Sequence, residues 1–193
     1  MPPSKNRTRD EITEKSMNVF WRRGFASTSV DDLVREAGTT RHSLYQEFGG
    51  KDRLFEQCLI AYNALIVTPA FARVETGAGG IADIAQYFER QIGLGEKAGL
   101  PGPGCLMANT MTEVAATPER AAQLVAAHQE RLRAGFERAL SQRRTRARRK
   151  VHDQALALVV FANGLWSFSR IVSDADFLRR SVGAMLHAID NDA

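Results

Sequence analysis

"AGTTRHSLYQEFGGK", Ala37 to Lys51, is the stretch whose reading decides the fold. A glycine stops one helical pattern at Gly38, and Gly49-Gly50 stops the next about two turns later. Thr40 can cap the segment between them, and Leu44, Tyr45 and Phe48 supply its inward side. The outer side carries Thr40, Arg41, His42, Ser43 and Gln46. A helix this short, with so little to bury, is kept for what it displays.

Upstream, Thr8-x-x-Glu11 is a capping box that opens a helix with Ile12, Ser16, Val19 and Phe20 on one face, closed by Gly24. A second box, Ser29-x-x-Asp32, starts a short helix whose Val30, Leu33, Val34 and Ala37 share a face. Three short helices with a glycine turn between the second and third form a helix-turn-helix. Gly38 allows the left-handed backbone that reverses the chain, so the third helix can project its N-terminal half into a DNA major groove.

Downstream, a longer helix runs from Lys51 with Leu54, Phe55, Cys58, Leu59, Tyr62, Leu65 and Ile66 inward, up to Pro69. Beyond the turn at Gly77 to Gly80, Ile81, Ile84, Ala85, Phe88 and Ile92 mark a helix ending near Gly93 to Lys97. "AGLPGPG", Ala98 to Gly104, is a loop, and helix resumes from Cys105 to about Ala116. Thr117-Pro118 opens the next helix, which carries Ala121, Leu124, Val125, His128, Leu132, Phe136 and Leu140. The basic run "RRTRARRK", Arg143 to Lys150, holds six Arg/Lys and reads as a solvated loop or a source of non-specific attraction to DNA. Helices over 153–172 and 176–190 complete the chain. The expected fold is all-α, with about nine helices and no sheet: a three-helix head at 1–50 and a larger helical body at 51–193, joined by the helix over 51–69.

Composition sets the outer bounds. A chain of 193 residues with 44% hydrophobic content can bury one substantial core, or a small head and a larger body. The net charge of +4 suits a polyanionic partner, yet the first sixty residues hold ten Lys/Arg against nine Asp/Glu. Charge placement therefore matters more than its sum. Cys58 and Cys105 make no disulfide framework. The N-terminus lacks the apolar stretch of a signal peptide, and the longest strongly apolar run, Ala155 to Ala162, is far short of the roughly 18 residues of a membrane span. A soluble cytoplasmic protein is expected, with no membrane partner. No P-loop, dinucleotide fingerprint or H-E-x-x-H motif is present. His42, His128, His152 and His187 are too scattered for a metal site, and Cys105 with His128 lacks any nucleophile signature. The expectation is no enzyme, no metal and no cofactor. A purely protein-binding helical adaptor would leave the polar third helix unexplained.

The run from "GFASTSVDDLVREAG" through "TTRHSLYQEFGGKDRLF" closely resembles the DNA-binding head of TetR-family transcriptional regulators. The resemblance covers about Thr8 to Leu59 and rests on Gly24-Phe25, Thr28 to Val30, Ala37-Gly38, Leu44-Tyr45, Phe48 and Lys51. The remainder resembles the family's body more loosely, through helix count and "GCLMANTMTEVA". It implies an all-helical homodimer that represses transcription from a palindromic double-stranded operator until a small-molecule effector lowers its DNA affinity. By position, Thr28 and Ser29 would hold a phosphate at the second helix's start. Thr40, Arg41, His42, Ser43 and Gln46 would face the groove, Arg41 bidentate to guanine and Gln46 to adenine. Tyr45 and Lys51 would meet the DNA backbone. This chain departs from the family at Thr39, His42 and Glu47, and the last would repel a phosphate.

In the body, "ALALVVFANGLWSFSRIV" is apolar almost all round, as suits a helix buried on its own subunit and against a partner. The last two helices are expected to form a two-fold, four-helix interface, spacing two heads about 34–36 Å apart or a multiple of that. Gly164 costs about 1 kcal/mol relative to alanine inside a helix; close approach of a second helix, or a kink beside a cavity, would account for it. Phe88, Met107, Met111, Phe136, Trp166 and Phe168 are the expected ligand pocket, with plain core as the competing reading. Cys105 follows Gly-Pro-Gly at a helix N-terminus, where the dipole can favour thiolate; a redox- or electrophile-sensing regulator is the alternative this raises.

Overall fold

The computed structural model describes residues 8–113, 117–142 and 148–191, and among them every regular element is a helix. The first three helices are set by the caps that the sequence spells out. In α1 (Arg9–Arg23) the Thr8 side chain accepts from Glu11 N–H, while the Glu11 carboxylate accepts from Thr8 N–H at 2.9 Å. A reciprocal box between Ser29 and Asp32 opens α2 (Val30–Ala37), and Thr40 accepts from Ser43 N–H at 3.1 Å to open α3 (Arg41–Phe48). Gly38 sits between α2 and α3 at φ 63°, ψ 43°, a left-handed conformation that costs a glycine little.

The chain packs as two compact units. The first takes the residues up to Leu65 together with Cys105–Ala126; the second takes Ile66–Gly104 and Ala127 onward. In the first unit α1 lies against α2 and α4 (Lys51–Tyr62), and α3 packs on both α2 and α4. Ile12, Phe20, Leu33, Leu44, Leu54, Phe55 and Leu59 are fully buried there. Phe20, Phe25 and Phe55 meet at centroid distances of 4.8 to 6.2 Å. The short helix α7 (Leu106–Met111) joins this unit by packing on α1 and α4, although the sequence assigns it to the body.

The second unit is built from α5 (Thr68–Thr76), α6 (Ile81–Ala98), most of α8 (Glu119–Leu140), α9 (Arg148–Phe168) and α10 (Ala175–Asn191), with α6 packed on α5 and α10. Phe71, Tyr87, Phe88 and Phe136 interlock at its centre. Arg131 makes a two-pronged ion pair to Glu75 at 2.6 and 2.7 Å. Asp83 is buried and closes the glycine turn before α6, accepting from Gly79 N–H and Arg73 Nε at 2.6 Å each. Those bonds, Arg73 foremost, hold its carboxyl below the ordinary range.

Several boundaries differ from the sequence expectation. Pro69 does not end the connecting helix. A wider π-helical turn, Asn63–Val67, precedes it, and Pro69 falls in the first turn of α5. A proline there loses no needed amide, and the widened turn spares the carbonyl its ring would strike. The continuous helix Lys51–Thr76 thus reaches 26 residues and contains an 18-residue stretch of mean hydropathy 1.3, enough by length and composition alone to cross a membrane. Yet Leu54, Phe55, Cys58, Leu59, Tyr62, Phe71 and Val74 along it are buried in the protein, as in a core helix. Helix α9 begins at Arg148, inside the basic run, and ends at Phe168. Arg143, Arg144 and Arg146 lie outside the described residues.

Candidate nucleic-acid interface

Leu44 and Phe48 are the buried anchors of α3, at 0 and 4% exposure. Everything else on the helix is free to be polar. Arg41, His42, Tyr45, Gln46 and Glu47 are exposed, as is Thr40 at the cap, and Ser43 is half-buried. Tyr45, at 52% exposure, is a surface ring rather than a core one, and it lies over Gly50. These side chains occupy the first two turns of a helix held from behind by two apolar contacts, the geometry a groove-reading helix requires.

Several of the nine sequence-assigned residues have further partners that the sequence does not reveal. The Arg41 guanidinium is gripped by Asp31 of α2, Nε to Oδ1 at 2.9 Å and Nη2 to Oδ2 at 2.6 Å. Lys51 places Nζ 4.0 Å from the centroid of the Phe25 ring, a cation–π contact. Burial there lowers its pKa, with Asp52 and Glu113 opposing. The ammonium is therefore partly sheathed where the phosphate reading expects it extended. Thr28 points inward: it is 1% exposed, and its hydroxyl donates to the Gly24 carbonyl at 2.6 Å. Ser29 is exposed, but its hydroxyl and N–H both donate to Asp32, whose carboxyl they hold far below the usual range. The N-terminus of α2 thus already carries Asp31 and Asp32, and its dipole is met by carboxylates before any phosphate arrives.

A residue 87 positions from Ala26 belongs to the same unit as the head. Glu113, just beyond α7, accepts from Ala26 N–H at 2.9 Å in the turn between α1 and α2. Gly24 stands at φ 83°, and a Cβ there would overlap the Glu113 carboxylate. Asn109 of α7 adds a bond from Nδ2 to the Trp21 carbonyl. Beside this contact lies an open cleft of about 250 Å³, lined by Thr110, Met111, Thr117, Ala122 and Val125. The Thr117 hydroxyl donates to the Glu113 carbonyl at 2.9 Å, so one wall of the cleft is bonded to the residue that holds Ala26.

Of the six residues expected to line a pocket, only Met111 borders this cleft. Met107 is buried in the first unit. Phe88 and Phe136 are wholly buried and stacked, with Trp166 against Phe88, which is core packing. Phe168 is half-exposed and stacks on Phe177.

Cys105 does not behave as a thiolate site. It stands at the N-cap of α7, but that helix has only 6 residues. Although the residue as a whole is only partly covered, burial raises its thiol, outweighing the Ala108 and Met107 amides and the Tyr62 hydroxyl that favour the charged form. Desolvation beats the dipole, and the sensing alternative loses its physical basis. Among the described residues, no three His, Cys, Asp or Glu are grouped to hold a metal ion.

A family model described as "Bacterial regulatory proteins, tetR family" matches residues 12–58. The HTH-type transcriptional repressor ComR of Escherichia coli (strain K12) is 26% identical over 156 residues, covering 80% of this chain and 74% of that protein. Among solved structures, a cysteine mutant of the TetR-family regulator CifR, complexed with 26-bp double-strand operator DNA, aligns with a TM-score of 0.80 at 20% identity. That alignment covers 95% of this chain and 98% of that one. A TetR-family regulator from Agrobacterium tumefaciens aligns at 0.73 with 22% identity, over 93% and 95% of the two chains.

Proposed function

We propose that this chain, whose residues 12–58 match the family model and which is 26% identical to a curated repressor, is a TetR-family regulator: a cytoplasmic, homodimeric repressor that grips a palindromic operator through α3 and releases it when a small molecule binds. The observation that carries this is α3 itself: an eight-residue helix pinned by Leu44 and Phe48 that turns Arg41, His42, Tyr45 and Gln46 outward. Arg41 has the fork that matches guanine O6 and N7, and Gln46 the amide that matches adenine.

Dimerisation is supported by α9. Leu156, Val160, Gly164 and Phe168 recur every four residues along it, and all four are exposed. A Cβ at Gly164 would meet nothing within 4 Å among the described residues, so no contact among them calls for the glycine. Rows of this spacing are the ridges by which two helices interdigitate, and a glycine lets their axes approach. Phe177 of α10 and Ile171 extend the apolar surface.

Release is supported by the cleft beside α7. Met111, Ala122 and Val125 give it apolar walls, and two threonine oxygens can accept hydrogen bonds. Its small volume suits a compact, largely apolar effector. Such a compound would displace Thr117, hence Glu113, and slacken the turn that seats α1 and α2.

The decisive experiment is a footprint and gel-shift titration on genomic fragments flanking the gene, repeated at several salt concentrations. Protection of an inverted repeat, with affinity falling steeply as salt rises, is expected. A folded dimer that protects no repeat at low salt would end the proposal. A panel of small apolar compounds, scored for loss of the shifted band, tests the release step.

A further inference from the structure

The Asp31–Arg41 pair invites a specific question: why should the foremost basic group of a DNA-facing helix be held by a carboxylate? Stability is a poor answer. Both side chains are well exposed, at 61% for Arg41 and 66% for Asp31, and exposed ion pairs contribute little to stability. The geometry is more informative. The two contacts run in parallel, Nε to Oδ1 and Nη2 to Oδ2, so Asp31 occupies the side edge of the guanidinium. A guanidinium has five N–H donors in one plane. With Nε–H and one Nη2–H engaged, the remaining Nη2–H and one Nη1–H lie parallel at its tip, and the other Nη1–H points to the opposite edge. That tip is the parallel fork that fits guanine O6 and N7.

We propose that Asp31 is a positioning residue that holds Arg41 for tip-on reading of one guanine in each half-site, and so sets base specificity there. The inference rests on α3 being the helix that enters the groove. Its physical content is twofold. First, the clamp fixes an arginine side chain that otherwise samples many rotamers, so less entropy is lost when the base is met. Second, a carboxylate beside the groove repels phosphates and weakens attachment to DNA that offers Arg41 no guanine. Asp31 thereby lowers unspecific affinity while sharpening the specific one. The two residues lie on either side of the Gly38 turn, whose left-handed backbone brings α2 and α3 together.

The experiment uses the full-length protein, an operator duplex selected from random sequence by the wild type, single-substitution variants of that duplex, and an unrelated duplex. Dissociation constants are measured at two salt concentrations for wild type, Asp31→Ala, Asp31→Asn, Arg41→Ala and the Asp31→Ala/Arg41→Ala double variant. Circular dichroism and sedimentation verify that each is folded and associated as the wild type is. Asp31→Ala is expected to lose about ten-fold in discrimination for guanine at one symmetric pair of positions, a share of the roughly 10- to 100-fold or more that a bidentate contact supplies. Its affinity for the unrelated duplex should rise about three-fold, as fits the loss of one negative charge. Asp31→Asn should fall between, and in the Arg41→Ala background Asp31→Ala should change discrimination no further. Unchanged guanine discrimination with tighter operator binding would show that Asp31 competes with DNA for Arg41, overturning the proposal. Uniform weakening at every position would overturn it too, as a merely structural effect. If Arg41→Ala itself keeps full affinity and selectivity, the assignment of α3 fails instead, which is a distinguishable result.

Discussion

Helix α3 has 8 residues and buries two of them, Leu44 and Phe48; helix α9 has 21 and buries six. What α3 leaves outside is Arg41, His42, Tyr45, Gln46 and Glu47, whereas α9, beyond its polar first turns, leaves Leu156, Ala157, Val160, Gly164, Ser167 and Phe168, most of them apolar. The backbone geometry is the same, but the cost of exposure is not. A polar face is well solvated in water and gains only from a polar partner. An apolar ridge is unfavourable in water by roughly 25 cal/mol for each Å² uncovered. The chemistry of the uncovered face is what supports each proposed partner: nucleic acid for one helix, a second copy of the chain for the other.

The harshest way to break the contrast is to give α9 the polarity of α3. Val160→Asp places a carboxylate in the middle of the ridge. Sedimentation velocity is expected to show monomers at micromolar concentration, with operator affinity reduced roughly 100-fold or more, about 3 kcal/mol or greater. A variant that still sediments as a dimer and binds normally would assign the ridge to some other partner.

Acid is expected to weaken the second unit next. His128 of α8 is 4% exposed, and its Nδ1 has no hydrogen-bond partner among the described residues. Burial, reinforced by Arg131, lowers its pKa from 6.5 to about 4. The folded imidazole stays neutral while an unfolded one takes a proton near 6.5. Stability is therefore intact above that pH, declines as pH falls, and levels off below about 4. The full effect is at most about 3 kcal/mol. Thermal melts from about pH 7.5 to 4 should show a decline that His128→Leu reduces; an unchanged pH dependence in that variant would remove the imidazole from the account.

Arg41→Ala, in an otherwise native dimer, is expected to weaken operator binding by about 2 kcal/mol, roughly thirty-fold, without shifting the melting temperature. Anisotropy titration checks it, and a matching loss on unrelated DNA would reduce Arg41 to a phosphate contact. The mildest effect is that of Glu113→Ala, which removes the acceptor for Ala26 N–H. A loss of about 1 kcal/mol, or a melting point lower by about 2–4 °C, is expected. No change in melting would leave Glu113 without a structural role.

How far the sequence could be read follows from the range of each interaction. The caps at Thr8, Ser29 and Thr40 and the reversal at Gly38 are encoded within a few residues, and the structure has all of them. Pro69 misleads because its cost depends on a wider turn upstream that no residue announces. Arg148 to Lys150 read as loop because a run of like charges is usually solvated, yet α9 starts there. In the candidate site, the sequence groups Tyr45 with Leu44 and Phe48 on the inward side of α3, yet its ring is 52% exposed, because one position on from Leu44 lies about 100° round the helix. The partners of Arg41, Lys51 and Ala26 are not legible either, since Asp31, Phe25 and Glu113 reach them from outside their own helix or turn, Glu113 across 87 positions. Helical periodicity says which way a side chain points, never what has folded up beside it.

Gly24 bears on modular engineering. Its lack of a side chain is matched to a carboxylate contributed from far along the chain. Residues 1–50 are consequently not a cassette that can be transplanted intact onto an unrelated effector domain. A chimera needs an acidic acceptor reproduced where Glu113 stands, or the graft inherits a vacant notch at Gly24 and an unanswered amide at Ala26.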